Sequence, residues 1–309
     1  MAAVRRHARN ESVALLNLTA FTPQMAYAVC STLDALGGMA DRDLVERWMS
    51  PTAIYSEDDR PKGAGVGLSE AISLCERLDL VARENGSLSS REHFDSLEHF
   101  RRVLLARVLE PERNTDLFSE SRAGVVQAHE LTRALTWFGQ LRATQGPYST
   151  ANYERFQTSG LRVIQNDTRW NVFDRWVVFL GFGWRLGEGV IPDPTRAIVG
   201  ELDDLLPIGA DAPLPSFVAQ LAERLPVLDG GRYHAAYLEA VGRTGEWDVR
   251  RLSEPLSLAL IRLERRGILE LYGRGDAESR VLRLGDDVDR SHQFAKRVRS
   301  AEEEDRQRG

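Results

Sequence analysis

Between Arg250 and Leu284 the spacing of apolar positions changes twice, and each change marks a boundary. Leu256, Leu260 and Leu263 recur at helical intervals behind Ser253, a capping residue, and Pro255, whose missing N–H is harmless in a first turn. Gly267 stops the helix. Ile268-Leu269-Glu270-Leu271-Tyr272 then reads as a short strand, Gly273 to Asp276 as a turn, and Arg280 to Leu284 as the alternating return strand. Helix, stop and hairpin together form the second half of a winged helix-turn-helix. That is a macromolecule-binding module, and it points to no reaction.

A similar pattern occupies the start of the chain. Met25, Val29, Leu33 and Leu36 form a helical stripe after Thr22-Pro23, closed by Gly37-Gly38. Asp41 caps a second helix carrying Leu44, Val45 and Trp48. After a polar loop from Ser56 to Gly67, Ser69 caps a third helix with Leu68, Ile72, Cys75 and Leu78 on one side. Asn85-Gly86, a strong two-residue hairpin signal, turns the following strand back toward Leu88. Leu68, Ile72, Cys75, Leu80 and Val81 match Leu256, Leu260, Leu263, Ile268 and Leu269 at a constant offset of 188 residues. The earlier helices of the second module are placed at Phe217 to Leu225 and Tyr233 to Val241.

The segment between the modules is helical in period and rich in aromatics. Phe100, Val103, Leu104 and Val108 suit one helix; Val126, Leu131, Leu135 and Phe138 suit another. Trp170, Phe173, Val177, Leu180 and Trp184 give the most apolar stripe, the expected centre of a core. Asp193 and Pro194 start a helix through Leu206. The resulting expectation is a mainly α chain. A winged-helix domain spans 1–92, a helical middle domain 93–212 and a second winged-helix domain 213–289. A charged tail, a solvated helix, follows at 290–309.

Composition narrows the function classes. A chain of 309 residues with 42% hydrophobic and 28% charged positions has the composition of a soluble globular protein. No apolar run reaches the roughly 18 residues of a membrane span. The basic Arg5 to Arg9 and the run Val13 to Ala20 lack a cleavage pattern, so a cytoplasmic location is expected. Cys30 and Cys75 lie in helical stripes and read as reduced core thiols. Neither Gly63 to Gly67 nor Gly181 to Gly187 meets the requirements of a phosphate or dinucleotide loop. The six histidines, His7, His93, His99, His129, His234 and His292, show no metal-ligand spacing. No catalytic residue, metal or cofactor is assigned, and the chain is not read as an enzyme.

Charge then separates the two modules. The whole chain carries −6, and of its 40 basic residues only Lys62 and Lys296 are lysine. Glu57 to Glu92 holds eight acids against five bases, whereas Arg250 to Arg283 holds eight bases against five acids. Only the second module has the sign for phosphate contact. Arg250, Arg251, Arg262, Arg265, Arg266 and Arg274 are therefore the nucleic-acid-binding candidates, with double-stranded DNA as partner. Leu258 and Ile261 also lie off the core stripe, which favours a protein contact there.

Three stretches resemble a known family. Leu131 to Phe138, Asp167 to Asn171 continuing through Gly181-Phe182, and Pro192-Asp193-Pro194-Thr195 are similar to DpdG, an accessory protein of bacterial gene clusters that insert 7-deazaguanine derivatives into DNA and restrict unmodified DNA. The resemblance implies a role in DNA modification or phage defence beside helicase and transglycosylase partners, and it brings no catalytic residues. The combined expectation is a non-enzymatic DNA-binding or adaptor subunit of such a system. Two alternatives stay open: a purely protein-binding winged-helix scaffold, or a dimeric winged-helix transcriptional repressor.

Overall fold

A computed structural model describes residues 15–17, 21–50, 64–118, 129–158, 160–286 and 288–299. The basic N-terminal run, most of the loop from Ser56, Lys62, Val126 and the tail beyond 299 lie outside the described residues. About half of what is described is helical, with small antiparallel sheets between the helices. Mainly α is therefore correct as the class.

One local order recurs three times. The first copy is α1 (Pro23–Ala35), β1 (Met39–Asp41), α2 (Arg42–Met49), α3 (Ala64–Arg77), β2 (Val81–Glu84) and β3 (Ser87–Ser90), with sheet order β1-β3-β2. Asn85 and Gly86 adopt φ of 52° and 88°, the double left-handed conformation that a tight two-residue hairpin needs. α3 begins five residues earlier than its expected cap Ser69, so Gly65 and Gly67 lie inside a helix and not in a turn.

After α4 (Leu97–Val108) the second copy starts. Ser96 caps α4 by accepting from the His99 N–H at 3.1 Å. α5 (His129–Phe138), an extended residue at Tyr148, the 3-10 turn Tyr153–Phe156 in the place of a second helix, α6 (Asp167–Phe179), β4 (Gly183–Leu186) and β5 (Gly189–Pro192) then repeat the order. Tyr148 and Val190 exchange backbone hydrogen bonds of 2.9 and 2.8 Å, so the sheet order is again first, third, second. The middle segment is thus not purely helical. Trp184 leaves the α6 stripe for the exposed face of β4, because Gly181 has already ended the helix.

The third copy is the most elaborated: α7 (Thr195–Leu205), β6 (Asp211–Pro213), α8 (Leu214–Arg224), α9 (Arg232–Ala240), α10 (Glu254–Arg265), β7 (Leu269–Tyr272), β8 (Arg280–Leu284), β9 (Val288–His292) and β10 (Phe294–Arg297). Its sheet runs β6-β10-β7, so the strand paired with β7 is β10 and not the expected Arg280 to Leu284. β8 pairs with β9 instead. Alternation made β8 a strand but carried no information about its partner, and the turn after Leu284 closes a shorter loop than the one after Tyr272. Likewise the tail from Arg290 is not a helix up to Arg299. Ala295 and Arg297 face inward from a strand whose other residues face out.

The third helix of every copy ends the same way. Leu80, Phe182 and Ile268 donate backbone N–H bonds of 2.8, 2.9 and 2.9 Å to carbonyls five residues back, at Cys75, Val177 and Leu263. The residues just before them, Asp79, Gly181 and Gly267, are left-handed at φ 55°, 84° and 65°. The copies share one core, centred on aromatic side chains. Tyr153 stacks on Trp170 at 4.8 Å, Trp137 and Phe138 meet Trp170 edge-on, and Phe21 reaches Trp176 at 5.8 Å. Each buried aromatic contributes about 2–3 kcal/mol.

Gly181 is the tightest of these turns: a Cβ there would sit 2.8 Å from the Ala197 amide nitrogen, whereas the Gly267 site is open. Gly181→Ala is expected to lower stability by about 3 kcal/mol, and Gly267→Ala by about 1 kcal/mol. Paired urea denaturation curves check the difference; equal costs would show that the crowding at Gly181 relaxes freely.

Candidate nucleic-acid interface

The helix expected to enter a DNA groove is α10. Its N-terminus forms as the sequence suggests, with Ser253 Oγ accepting from the Leu256 N–H at 3.4 Å and Pro255 in the first turn. Its outer surface is another matter. β8, β7, α7 and the 3-10 turn Ala143–Gln145 all pack on it. Ser257 Oγ, fully buried, accepts from the Arg283 N–H at 2.9 Å, and Leu282 is buried on the same side. Ile261 is only 3% exposed, so it is a core residue and not a free protein-facing one; Leu258 is half-buried. The inserted β8–β9 hairpin lies where a groove would have to come.

The six candidate arginines do not form one surface. Arg262 crosses to the middle copy, where it pairs with the buried carboxylate of Asp193 and lies over the Trp184 ring at 4.7 Å. That makes it a staple between α10 and the β4–β5 hairpin. Arg251 sits 3.6 Å from Asp248 and 3.9 Å from Asp289. Arg250 is exposed just before the helix, while Arg265, its last residue, and Arg266, its C-cap, are exposed at the other end, about 18 Å away along a 12-residue helix. Arg274 is exposed at the turn after β7, held by its backbone N–H donating to Gln293 Oε1.

Opposite the N-terminus of α10 lies a polar junction with the middle copy. Glu254 accepts from Arg142 Nε at 2.6 Å, from Thr144 Oγ1 at 2.7 Å and from the Thr144 N–H at 3.1 Å; Arg142 also reaches Asp286 at 2.9 Å. Burial alone would raise the Glu254 pKa. The bonds from Thr144 and Arg142 outweigh it and hold the carboxyl below its usual 4.5. Beside this junction opens a cleft of about 320 Å³ lined by Arg142, Arg243, Trp247, Arg251, Glu254 and Arg283. Its arginines face acids: Arg243 meets Glu246 at 2.8 Å and Arg283 meets Asp286 at 3.7 Å. A cleft so balanced has no excess positive charge for a phosphate.

No group of three or more potential metal ligands occurs among the described residues. His234, almost fully buried, has its pKa lowered by burial against a raising influence from Asp229, and its Nδ1 accepts from the Gly230 N–H at 3.1 Å. That leaves it a neutral structural side chain. Cys30 and Cys75 are free and buried, as reduced core thiols should be. The residues that sequence reasoning missed are Arg142, Glu254 and Trp184. The first two showed no local pattern, since the pairing spans 112 positions. Trp184 followed a helical stripe, but Gly181 carried the signal that the stripe had ended.

A family model described as DpdG-like matches residues 13–277. No curated protein and no solved structure matches the chain. Among the described residues no helix is long and apolar enough to cross a membrane.

The Glu254 junction has a signed pH dependence. A carboxyl whose folded pKa is depressed stabilises the fold above the unfolded value and loses that contribution as pH falls through the folded one. Glu254→Ala leaves Thr144 and the arginine without their acceptor and is expected to cost about 2 kcal/mol at neutral pH. As pH falls below the usual 4.5 and on through the depressed folded value, the difference between variant and wild type narrows. Thermal melts across pH check this, and a pH-independent gap would remove Glu254 from the account.

Proposed function

The chain belongs to the DpdG-like family, and from that premise we propose that it is a non-catalytic adaptor subunit that docks onto the other proteins of its own DNA-modification system. Membership fits an accessory role in a 7-deazaguanine DNA-modification cluster. The repeated order of helix, strand, two helices and hairpin, with sheet order first-third-second, supports reading the copies as winged-helix modules.

A single observation carries the preference for protein docking over DNA reading: α10 is encased by the β8–β9 hairpin and the turn at Ala143–Gln145. A winged helix reads bases by laying its third helix in the major groove. Here that helix has Ile261, Ser257 and Leu263 buried and Arg262 committed to Asp193. The third helix of the first copy, α3, bears Glu70 and Glu76, and Glu76 engages Arg83 of the adjoining wing at 2.5 Å. Neither helix offers the cationic face that phosphates require. The repressor reading needs the same groove-facing helix and weakens with it.

Direct DNA contact keeps one supporting observation, the exposure of Arg265 and Arg274. Fluorescence anisotropy with duplex DNA over a range of salt separates the two. An adaptor gives weak binding, equal in wild type and in Arg265→Glu/Arg274→Glu, and forms stable complexes with proteins of the same system in size-exclusion chromatography. Tight binding whose log K falls steeply with log salt, with a slope reduced by about 1 per arginine removed, would reverse the assignment.

A further inference from the structure

The exposed apolar side chains of the middle copy do not scatter at random. Trp184 is 55% exposed and Leu186 49%, and both lie on β4. Alternate residues of a strand share a face, so the two side chains point the same way. Ile191 of β5, directly opposite Trp184, extends that face and is half-buried. The Arg262 guanidinium lies over the Trp184 ring at 4.7 Å, which places the hairpin face against α10. Leu258 and Arg265, four residues before and three after Arg262, stand on the same side of that helix. Trp184 and Leu186 of the hairpin and Leu258 and Arg265 of α10 therefore flank the Arg262–Trp184 contact.

Two features make this face different from incidental surface. First, it is preorganised. The buried Asp193 carboxylate fixes Arg262, and Arg262 in turn holds the indole by cation–π contact, so little side-chain freedom is left to lose on binding. Second, its charge is one-sided at the helix end. Arg262 is balanced internally by Asp193 and Arg185 by Asp174 at 2.6 Å, but Arg265 is exposed with no ion-pair partner shown among the described residues. An exposed tryptophan beside aliphatic side chains and an open arginine is the composition of an interface hot spot.

We infer that this face between the β4–β5 hairpin and α10 docks a partner's acidic peptide segment through one aromatic or large aliphatic anchor. The anchor sits on Trp184, Leu186 and Leu258, and a carboxylate meets Arg265. A single-stranded nucleic acid would also stack on Trp184, but it needs a run of phosphate contacts, and only one arginine of the face remains open. The aliphatic neighbours likewise suit a side chain better than a base. The inference rests on the adaptor reading and adds to it the place and chemistry of one contact.

The test uses the full chain and short fluorescein-labelled peptides tiled over the acidic segments of the proteins encoded in the same system, with a labelled single-stranded oligonucleotide alongside. Polarisation is measured for wild type, Trp184→Ala, Leu186→Asp and Arg265→Glu, and thermal melts confirm that each variant is folded. At least one peptide is expected to bind. Its affinity should fall about tenfold or more in the first two variants. In Arg265→Glu it should fall about threefold with reduced salt dependence. Peptide or whole-protein binding that all three variants leave unchanged overturns this surface while the adaptor reading stands. Trp184-dependent binding of the oligonucleotide with none of the peptides overturns the partner class. Failure of every protein of the system to bind the chain removes the adaptor reading itself, and this inference with it.

Discussion

α10 is buried on every side but the narrow one that carries Leu258 and Arg265, and the third copy is arranged to meet that condition. Its leucine stripe at 256, 260 and 263 faces the core, but Ala259, Ile261 and Ser257 are buried as well, because β8 and the turn at Ala143–Gln145 cover the flanks. A helix enclosed to that degree must satisfy its polar groups internally. Glu254 does so at the first turn through Thr144 and Arg142, and Ser257 does so through the Arg283 amide. Arg262 does so through Asp193. Each of these bonds joins segments far apart in the chain, so enclosure of one helix also fixes the middle copy against the last.

The same helix-and-hairpin plan serves different ends in the three copies, and insertions account for the difference. The first copy keeps its hairpin simple, with a two-residue turn at Asn85-Gly86. In the second, the first strand is reduced to one residue, Tyr148, bridged to Val190. In the third, α9 enters between α8 and α10, and the β8–β9 hairpin enters between β7 and β10. That second insertion changes the use of the module, since it turns a potential reading surface into an internal one. A shared helix-and-hairpin order on its own therefore says little about what a given copy touches.

Arginine dominates the basic residues of this chain, and its planar fork is used chiefly for intramolecular contacts. Arg101 donates to the Phe179 carbonyl and to Glu98; Arg196 reaches the same Glu98 from α7, and Arg102 meets Asp204 at 3.2 Å. Bidentate geometry suits such bridging between helices. The consequence is that part of the basic excess along the sequence is matched by acids within the fold. A count of eight bases against five acids across Arg250 to Arg283 treated as free several groups that are matched by acids outside that window, among them Asp193, Asp286 and Asp289.

Local physics made much of this protein legible from sequence. The α1 stripe and its glycine stop, the Asn85-Gly86 hairpin, the α6 core helix and the Ser253-Pro255 start of α10 all depend on neighbours a few residues apart, and all appear where the pattern put them. The similarity between the first and last copies was visible too, through matched apolar positions around a shared helix ending. What sequence could not decide was pairing. Strand alternation in Arg280 to Leu284 is the same whichever strand lies alongside, and β10 was hidden inside a charged stretch because Arg297, only 3% exposed, looks like a surface residue in isolation. Whether a cation faces water or a carboxylate is settled by contacts between distant segments, and for Arg142 and Arg262 only the tertiary structure brings those carboxylates into reach.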